Sequence, residues 1–210
     1  LFKKTDIIYS RDDISVFYLS IFKSNVYWEA HVGNYNFFVR KMLKRLKGLI
    51  LISNGLKKFY ESKEVASEKI LVAPDGVDLK DFSISLSREE CRKKLNLPLD
   101  KKLVVYTGHL YKWKGVHVLA HSASFLNENV LVVFVGGTER DIAEFRKKYE
   151  SYRNILILGK KPYKDIPLYL KAADVLALPN SGESNISRFY TSPMKLFEYM
   201  ASGVPIVASD

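Results

Sequence analysis

An alternation constrains this 210-residue chain more than any single residue does. Short runs rich in Val, Ile and Leu are separated repeatedly by stretches with helical spacing. Strands that are apolar on both sides are buried on both faces, and a helix between successive strands favours parallel pairing. The strand candidates are Asp6–Ser10, Val26–His31, Gly48–Ser53, Lys69–Ala73, Leu103–Thr107, Val130–Gly136, Ile155–Leu158, Asp174–Leu178 and Pro205–Ala208. Helices are expected at Ser53–Ser62, capped by Ser53, and at Ser87–Leu95, where Ser87 and Glu90 make a capping box. Others are expected at Gly115–Leu126, Thr138–Tyr149, Tyr163–Ala173 and Ser192–Ser202. The fold class is α/β, with parallel sheets covered by helices. Pro74-Asp75-Gly76 is a turn, and Val77–Leu86 reads as an irregular linker. The domain boundary is placed there. Residues 1–78 are basic and form an incomplete first domain; residues 79–210 have the pattern of most of a doubly wound domain.

Hydrophobic residues make up 47% of the chain, enough for real cores. A net charge of +10 points to anionic partners: nucleotide phosphates, lipid headgroups or nucleic acid. No aromatic stacking motif or recognised nucleic-acid module accompanies the charge, so nucleic acid is not an expected partner. The charge is uneven, with seven Lys or Arg and no acid from Ala30 to Tyr60. The single cysteine, Cys91, excludes an intrachain disulfide and reads as a packing residue. No apolar run reaches the length of a membrane span and no signal peptide is visible, so a cytoplasmic location is expected. Leu1 is not a start methionine and the chain stops at Asp210 just after a strand; both ends are expected to be cut.

Several constellations could carry chemistry. The last nineteen residues open with Ser192 as N-cap and Pro193 at the first helical position, and Gly203 closes the helix. A helix start presents free N–H groups and partial positive charge, which suits phosphate. Glu198 lies in the second turn among Leu196, Phe197, Tyr199 and Met200; it either faces a diol or is a solvated residue of an amphipathic helix. Thr107-Gly108-His109-Leu110-Tyr111-Lys112-Trp113-Lys114-Gly115 follows a strand and opens a helix, where open α/β sheets bind ligands. Gly108 lets backbone approach a phosphate and Lys114 adds a charge. Gly136-Gly137 is a similar turn. His117 and His121 have the i, i+4 spacing of metal ligands, but no acid follows His117 and no third ligand is evident. No Asp-x-Asp occurs, so no metal site is expected. Trp28-Glu29-Ala30-His31 ends a strand, and His31 is either structural or a hydrogen-bonding group near a ligand. Phe38, Val39, Met42, Leu43 and Leu46 share one helical face, with five basic residues around the other. Such a helix either packs on the sheet or lies peripherally on an anionic membrane.

In order along the chain stand YSRDD, WEAH, LILISNGLKKFY, ILVAPDGVDLKDF, VVYTGHLYKWKG, FVGG, DVLALPNS and SPMKLFEYMASGVPIVASD. These segments resemble the group 1 glycosyltransferases, whose GT-B fold has two Rossmann-like domains. The resemblance implies an enzyme that moves a sugar from a nucleotide diphosphate sugar to a glycan or lipid-linked acceptor. It also implies retention of configuration and no bound cofactor or metal. Residues 1–78 would be the remainder of the acceptor-side domain and residues 79–210 a donor-binding domain cut at its end. By position, Lys114 and the backbone of Ser192, Pro193, Met194 and Lys195 would bind the diphosphate. Glu198 would bind the ribose, and His31 would touch the donor sugar near the reacting centre. The loop Gly159–Pro162, with Lys160 and Lys161, would contact the base. His109 stands where the family usually has Arg, with Lys112 or Arg188 as possible compensation. The first acid of the family's Glu pair is replaced by Thr191, and Glu183 or Lys195 is the candidate to fill its place. The departing diphosphate would be stabilised by Lys114, His109 and the helix dipole. Two alternatives keep the fold but change the function: a nucleotide-sugar-binding fragment without turnover, and a nucleotide-sugar epimerase.

Overall fold

The computed structural model describes residues 6–180 and 194–209, and these fall into two units. The first, residues 6–75, is a four-stranded parallel sheet in the order β1-β2-β3-β4. Its strands are β1 (Ile8–Ser10), β2 (Val26–Ala30), β3 (Gly48–Leu51) and β4 (Ile70–Val72). Helices α1 (Asp13–Phe22), α2 (Phe37–Leu43) and α3 (Asn54–Glu61) connect them. Each begins on a side-chain cap: Asp12, Asn36 and Ser53 accept from the N–H of Ser15, Val39 and Leu56 at 2.8, 2.9 and 3.2 Å. These bonds satisfy N–H groups that a helix start leaves open. Val26, Trp28, Leu49 and Leu51 meet Val16, Val39, Met42, Leu56 and Tyr60 in one core.

Two details differ from the sequence pattern. Helix α1 was not among the helices expected, because its exposed Ile14, Tyr18, Ile21 and Phe22 put apolar residues all round it and no stripe stands out. Helix α2 stops at Leu43 instead of running to Lys47, since Lys47 N–H already bonds Val26 O at 2.9 Å on the way into β3. Val39, Met42, Leu43 and Leu46 are buried as the packed face, but Phe38 is exposed together with Phe37.

The second unit, residues 76–180 and 194–209, holds a five-stranded sheet in the order β7-β6-β5-β8-β9, every neighbouring pair parallel. Its strands are β5 (Lys102–Thr107), β6 (Val130–Val135), β7 (Ile155–Gly159), β8 (Val175–Leu178) and β9 (Ile206–Ala208). Helices α4 (Leu79–Phe82), α5 (Arg88–Leu95), α6 (Val116–Ser122), α7 (Glu139–Tyr149), α8 (Ile166–Ala172) and α9 (Met194–Ser202) surround it. Residues alternate between two cores, as the pleat requires. Leu103, Val105, Leu131 and Val133 pack with Cys91, Leu170 and Tyr199 on one face. Tyr106, Val132 and Phe134 pack with Val116, Ala120 and Phe145 on the other.

The capping box of Ser87 and Glu90 is present, and Thr138 with Asp141 makes a second. Val77–Leu86 is not wholly irregular: Asp78 accepts from Lys80 N–H at 2.9 Å and starts α4. The stretches Gly115–Leu126 and Tyr163–Ala173 are each part α-helix and part tighter 3₁₀ turn, at Ala123–Phe125 and Tyr163–Asp165. The second turn lies beside Pro167, which has no N–H to donate to a helix.

One polar hub ties α5, β5 and β8 together. Asp174 Oδ2 accepts from Arg92 Nη2 at 2.6 Å and from Leu103 N–H at 2.7 Å, and Oδ1 accepts from Arg88 Nη1 at 2.7 Å. Arg92 is itself buried and also donates to Ala172 O and Lys101 O, both at 2.9 Å. Burial alone would raise the Asp174 carboxyl; the Leu103 N–H and the guanidiniums of Arg92 and Arg88 outweigh it and hold the group below the usual value. Asp174→Asn is expected to lower unfolding free energy by roughly 2–4 kcal/mol at neutral pH, because Arg92 is left buried without its counter-charge. The stabilisation from the depressed carboxyl is full above its unfolded value of about 3.9 and is lost as pH falls through the lower folded value. Denaturant titrations should therefore show the gap between variant and parent narrowing below about pH 4.

Candidate functional site

In the second sheet the chain runs from β5 outward to β6 and β7, then returns to the other side of β5 for β8 and β9. The C-terminal ends of β5 and β8 therefore flank a switch point, where open α/β sheets leave a crevice. Gly108 follows β5 with φ +128° and Gly136 follows β6 with φ +123°. Gly108 N–H bonds Val135 O and Gly136 N–H bonds Gly159 O, both at 2.8 Å, so the strand ends stay laced together. A Cβ on Gly136 would stand 2.3 Å from Gly108 O, and one on Gly115 would stand 1.4 Å from Pro179 O. Only glycine fits these two approaches. Near the end of β8 the Asn180 Oδ1 is buried and has no hydrogen-bond partner among the described residues.

Helix α9 is fastened to β5 through one hydroxyl. Thr107 N–H donates to Tyr199 Oη at 2.9 Å, and the Tyr199 side chain is fully buried. Burial pushes this phenol up to about 12, so it stays protonated. With Tyr199 fixed, Lys195 falls beside Gly108. Its Nζ donates to Tyr106 Oη at 3.0 Å and lies 4.1 Å from the centre of that ring, while Tyr106 Oη donates to His109 O at 2.7 Å. Burial, then the nearby Lys114 ammonium, pull the Lys195 ammonium down to about 7, against the opposing pull of Glu198. Burial also holds Lys114 below its ordinary value. One turn on from Lys195, Glu198 is buried, which overturns its reading as a solvated helix residue. Burial raises its carboxyl, partly offset by a hydrogen bond from Tyr163 and by the Lys195 charge.

Gly108, Lys114, Lys195 and Glu198 thus gather at the end of β5. Met194 begins α9 with an exposed side chain. His109 is exposed and stacks on Tyr111, ring centres 4.8 Å apart and 1° from parallel. Lys160 and Lys161 follow β7, Lys160 exposed. Glu183, Arg188, Thr191, Ser192 and Pro193 lie outside the described residues. His31 belongs to the first unit, where its Nε2 stands 2.5 Å from Glu29 Oε1; Arg11 Nε stands 2.8 Å from the same oxygen. His117 Nδ1 is 2.9 Å from Tyr149 Oη, and among the described residues no group of three or more His, Cys, Asp or Glu stands together as a metal set. Tyr106, Tyr163, Tyr199 and the Arg11–Glu29 pair were not singled out from sequence. The available signal was adjacency: Tyr106 nearly abuts Gly108, Tyr199 adjoins Glu198, and Glu29 is two residues from His31.

Residues 87–210 match the family model described as Glycosyl transferases group 1. The chain belongs to this family. It is 28% identical over 187 residues to the Bacillus subtilis protein assigned as teichuronic acid biosynthesis glycosyltransferase TuaC, covering 89% of this chain and 44% of that one. It is 31% identical over 153 residues to an Escherichia coli UDP-Gal:alpha-D-GlcNAc-diphosphoundecaprenol alpha-1,3-galactosyltransferase, covering 68% of this chain and 37% of that one. The chain therefore spans less than half the length of these relatives. Among solved structures, Anabaena HepE in complex with UDP aligns with a TM-score of 0.75 at 18% identity, over 97% of this chain and 59% of that one. A glycosyltransferase from Rickettsia africae aligns with a TM-score of 0.76 at 19% identity, over 97% and 57%. These likenesses show the GT-B fold class, α/β with parallel sheets.

Tyr199→Phe removes the acceptor for a buried backbone N–H. Unfolding free energy should fall by about 1–3 kcal/mol, with the loss visible in denaturant titration and the Thr107 amide exchanging faster with solvent.

Proposed function

We propose that the full-length protein is a retaining glycosyltransferase that moves a sugar from a nucleotide diphosphate sugar to a glycan or lipid-linked acceptor. The observation that carries this reading is the placement of a buried carboxylate, Glu198, one helical turn from the Lys195 ammonium at the β5 switch point. A ribose diol donates hydrogen bonds to such a carboxylate, and a diphosphate sits against the Gly108 turn with Lys114 and Lys195 supplying positive charge. These charges, with the start of α9, stabilise the diphosphate as it departs. Lys160, Lys161 and the turn after β7 contact the base. His31 acts on the sugar side, its imidazole held within its own unit by Glu29. HepE was solved in complex with UDP and with UDP-glucose, and the Escherichia coli relative is named for a UDP-sugar and a diphosphoundecaprenol-linked acceptor. Among the described residues no helix is long and apolar enough to cross a membrane. Exposed Phe37 and Phe38 beside Arg40, Lys41, Lys44 and Arg45 support peripheral contact with an anionic, cytoplasmic membrane face.

Thermal-shift and calorimetric titration of the full-length protein with UDP-, GDP- and ADP-sugars tests the reading. One base should stabilise the fold in proportion to its occupancy, and no shift with any of the three at millimolar concentration would refute it. Glu198→Gln should weaken binding of that donor by about 1.5–3 kcal/mol while leaving the melting temperature of the free protein nearly unchanged. Equal affinity in variant and parent would remove the ribose role from Glu198.

A further inference from the structure

The Lys195 side chain crosses the Gly108 turn, and the Lys114 ammonium is near enough to act on its charge. Lys195 spends one of its three protons on Tyr106 Oη at 3.0 Å, and Tyr106 commits its own proton to His109 O at 2.7 Å, so it serves Lys195 only as an acceptor. The side chain passes so close to Gly108 that a Cβ there would stand 3.2 Å from Lys195 Cδ. Lys114 Nζ lies 4.0 Å from the centre of the Trp113 ring. Among the described residues, the groups that face Lys195 are Tyr106 from β5, Lys114 from the turn after β5 and Glu198 from α9 itself. The Glu198 carboxylate is shared with the Tyr163 hydroxyl and with its own desolvation. Among the described residues one such carboxylate stands against two partly buried ammoniums, and charge left uncompensated in such a place is expelled as a proton. Both lysines are held below their ordinary values, in keeping with this imbalance.

We propose that the Lys195 side chain, with Lys114, clamps the diphosphate of the donor, and that Lys195 takes up a proton from solvent as that anion docks. The inference rests on the reading of the site as a nucleotide-sugar site. The neutral amine uses its lone pair to bind one proton delivered by the buffer; no other bond is made or broken. The docked anion then adds counter-charge beside the Lys195 ammonium, so binding and protonation favour one another.

Calorimetry on the full-length protein reads this directly. UDP-glucose, GDP-mannose and ADP-glucose are tried in turn, and the one that binds is titrated at pH 8 in Tris and in HEPES, whose ionisation enthalpies differ. The diphosphate of a nucleotide sugar has no proton to gain near this pH, so any proton uptake belongs to the protein. With Lys195 pulled down to about 7 in the free protein, uptake should approach one proton per nucleotide sugar bound. Lys195→Arg, which stays charged at every accessible pH, should bind within a few-fold of the parent and take up almost no proton. Lys195→Met should bind at least about tenfold more weakly, also without uptake. Binding by the parent without proton uptake overturns the proposal and leaves the nucleotide site standing. So does uptake that persists in both Lys195 variants and disappears in His109→Gln. Failure of all three nucleotide sugars to bind overturns the site reading and the proposal with it.

Discussion

A buried backbone N–H must find an acceptor, and at the end of β5 the acceptor comes from another element. Thr107 N–H reaches Tyr199 Oη, and this bond sets the rotation of α9 against the sheet. Lys195 lies four residues before Tyr199 and Glu198 one before it, so the direction of each side chain follows once Tyr199 is fixed. Lys195 is then carried over Gly108, and the missing side chain of Gly108 is what lets it pass. Had Thr107 been satisfied within the sheet, α9 would be held by apolar packing alone, which tolerates small rotations. A hydroxyl at a defined distance does not.

Most of the fold was legible because the central strands β2, β3, β5, β6 and β8 are largely buried on both faces and the strands read as continuous apolar runs. Their ends shift by one or two residues, since hydrogen bonding and not apolarity decides where a strand stops. The helix starts at Ser53 and Ser87 were legible through their caps. Helix α1 was not, because Ile14, Tyr18, Ile21 and Phe22 on its outer face blur the stripe. In the candidate site, Gly108 and Lys114 were legible through the strand, turn and helix pattern after β5, and local pattern left Glu198 open between two readings. The three tyrosines were not. A Tyr in a buried strand or helix has the same apolar signature whether its hydroxyl is idle or, like those of Tyr106 and Tyr199, holds an element in place. The depressed ammonium of Lys195 depends first on burial and then on Lys114, far away in sequence, and no local window shows either.

The first unit uses a different device around His31. Glu29, on β2 and nearly buried, receives Arg11 and His31 on the same carboxylate oxygen. A short strand and the residue after it thereby present one imidazole with Nε2 engaged by Glu29. The arrangement is local to WEAH and the turn after β1. Its sequence trace is the pair Glu29 and His31; the contribution of Arg11 follows only from the pairing of β1 with β2.

The Asp174 hub has a kinetic side as well as an energetic one. Its three bonds reach residues 71 to 86 positions away in the chain, to Leu103, Arg92 and Arg88. Closing loops of that length costs more chain entropy than closing a local turn, which weighs against early formation. Asp174 therefore works as a latch between segments distant in the chain. Once shut, it couples the departure of α5 to the fraying of β8, and it leaves the second unit few ways to come apart piecemeal.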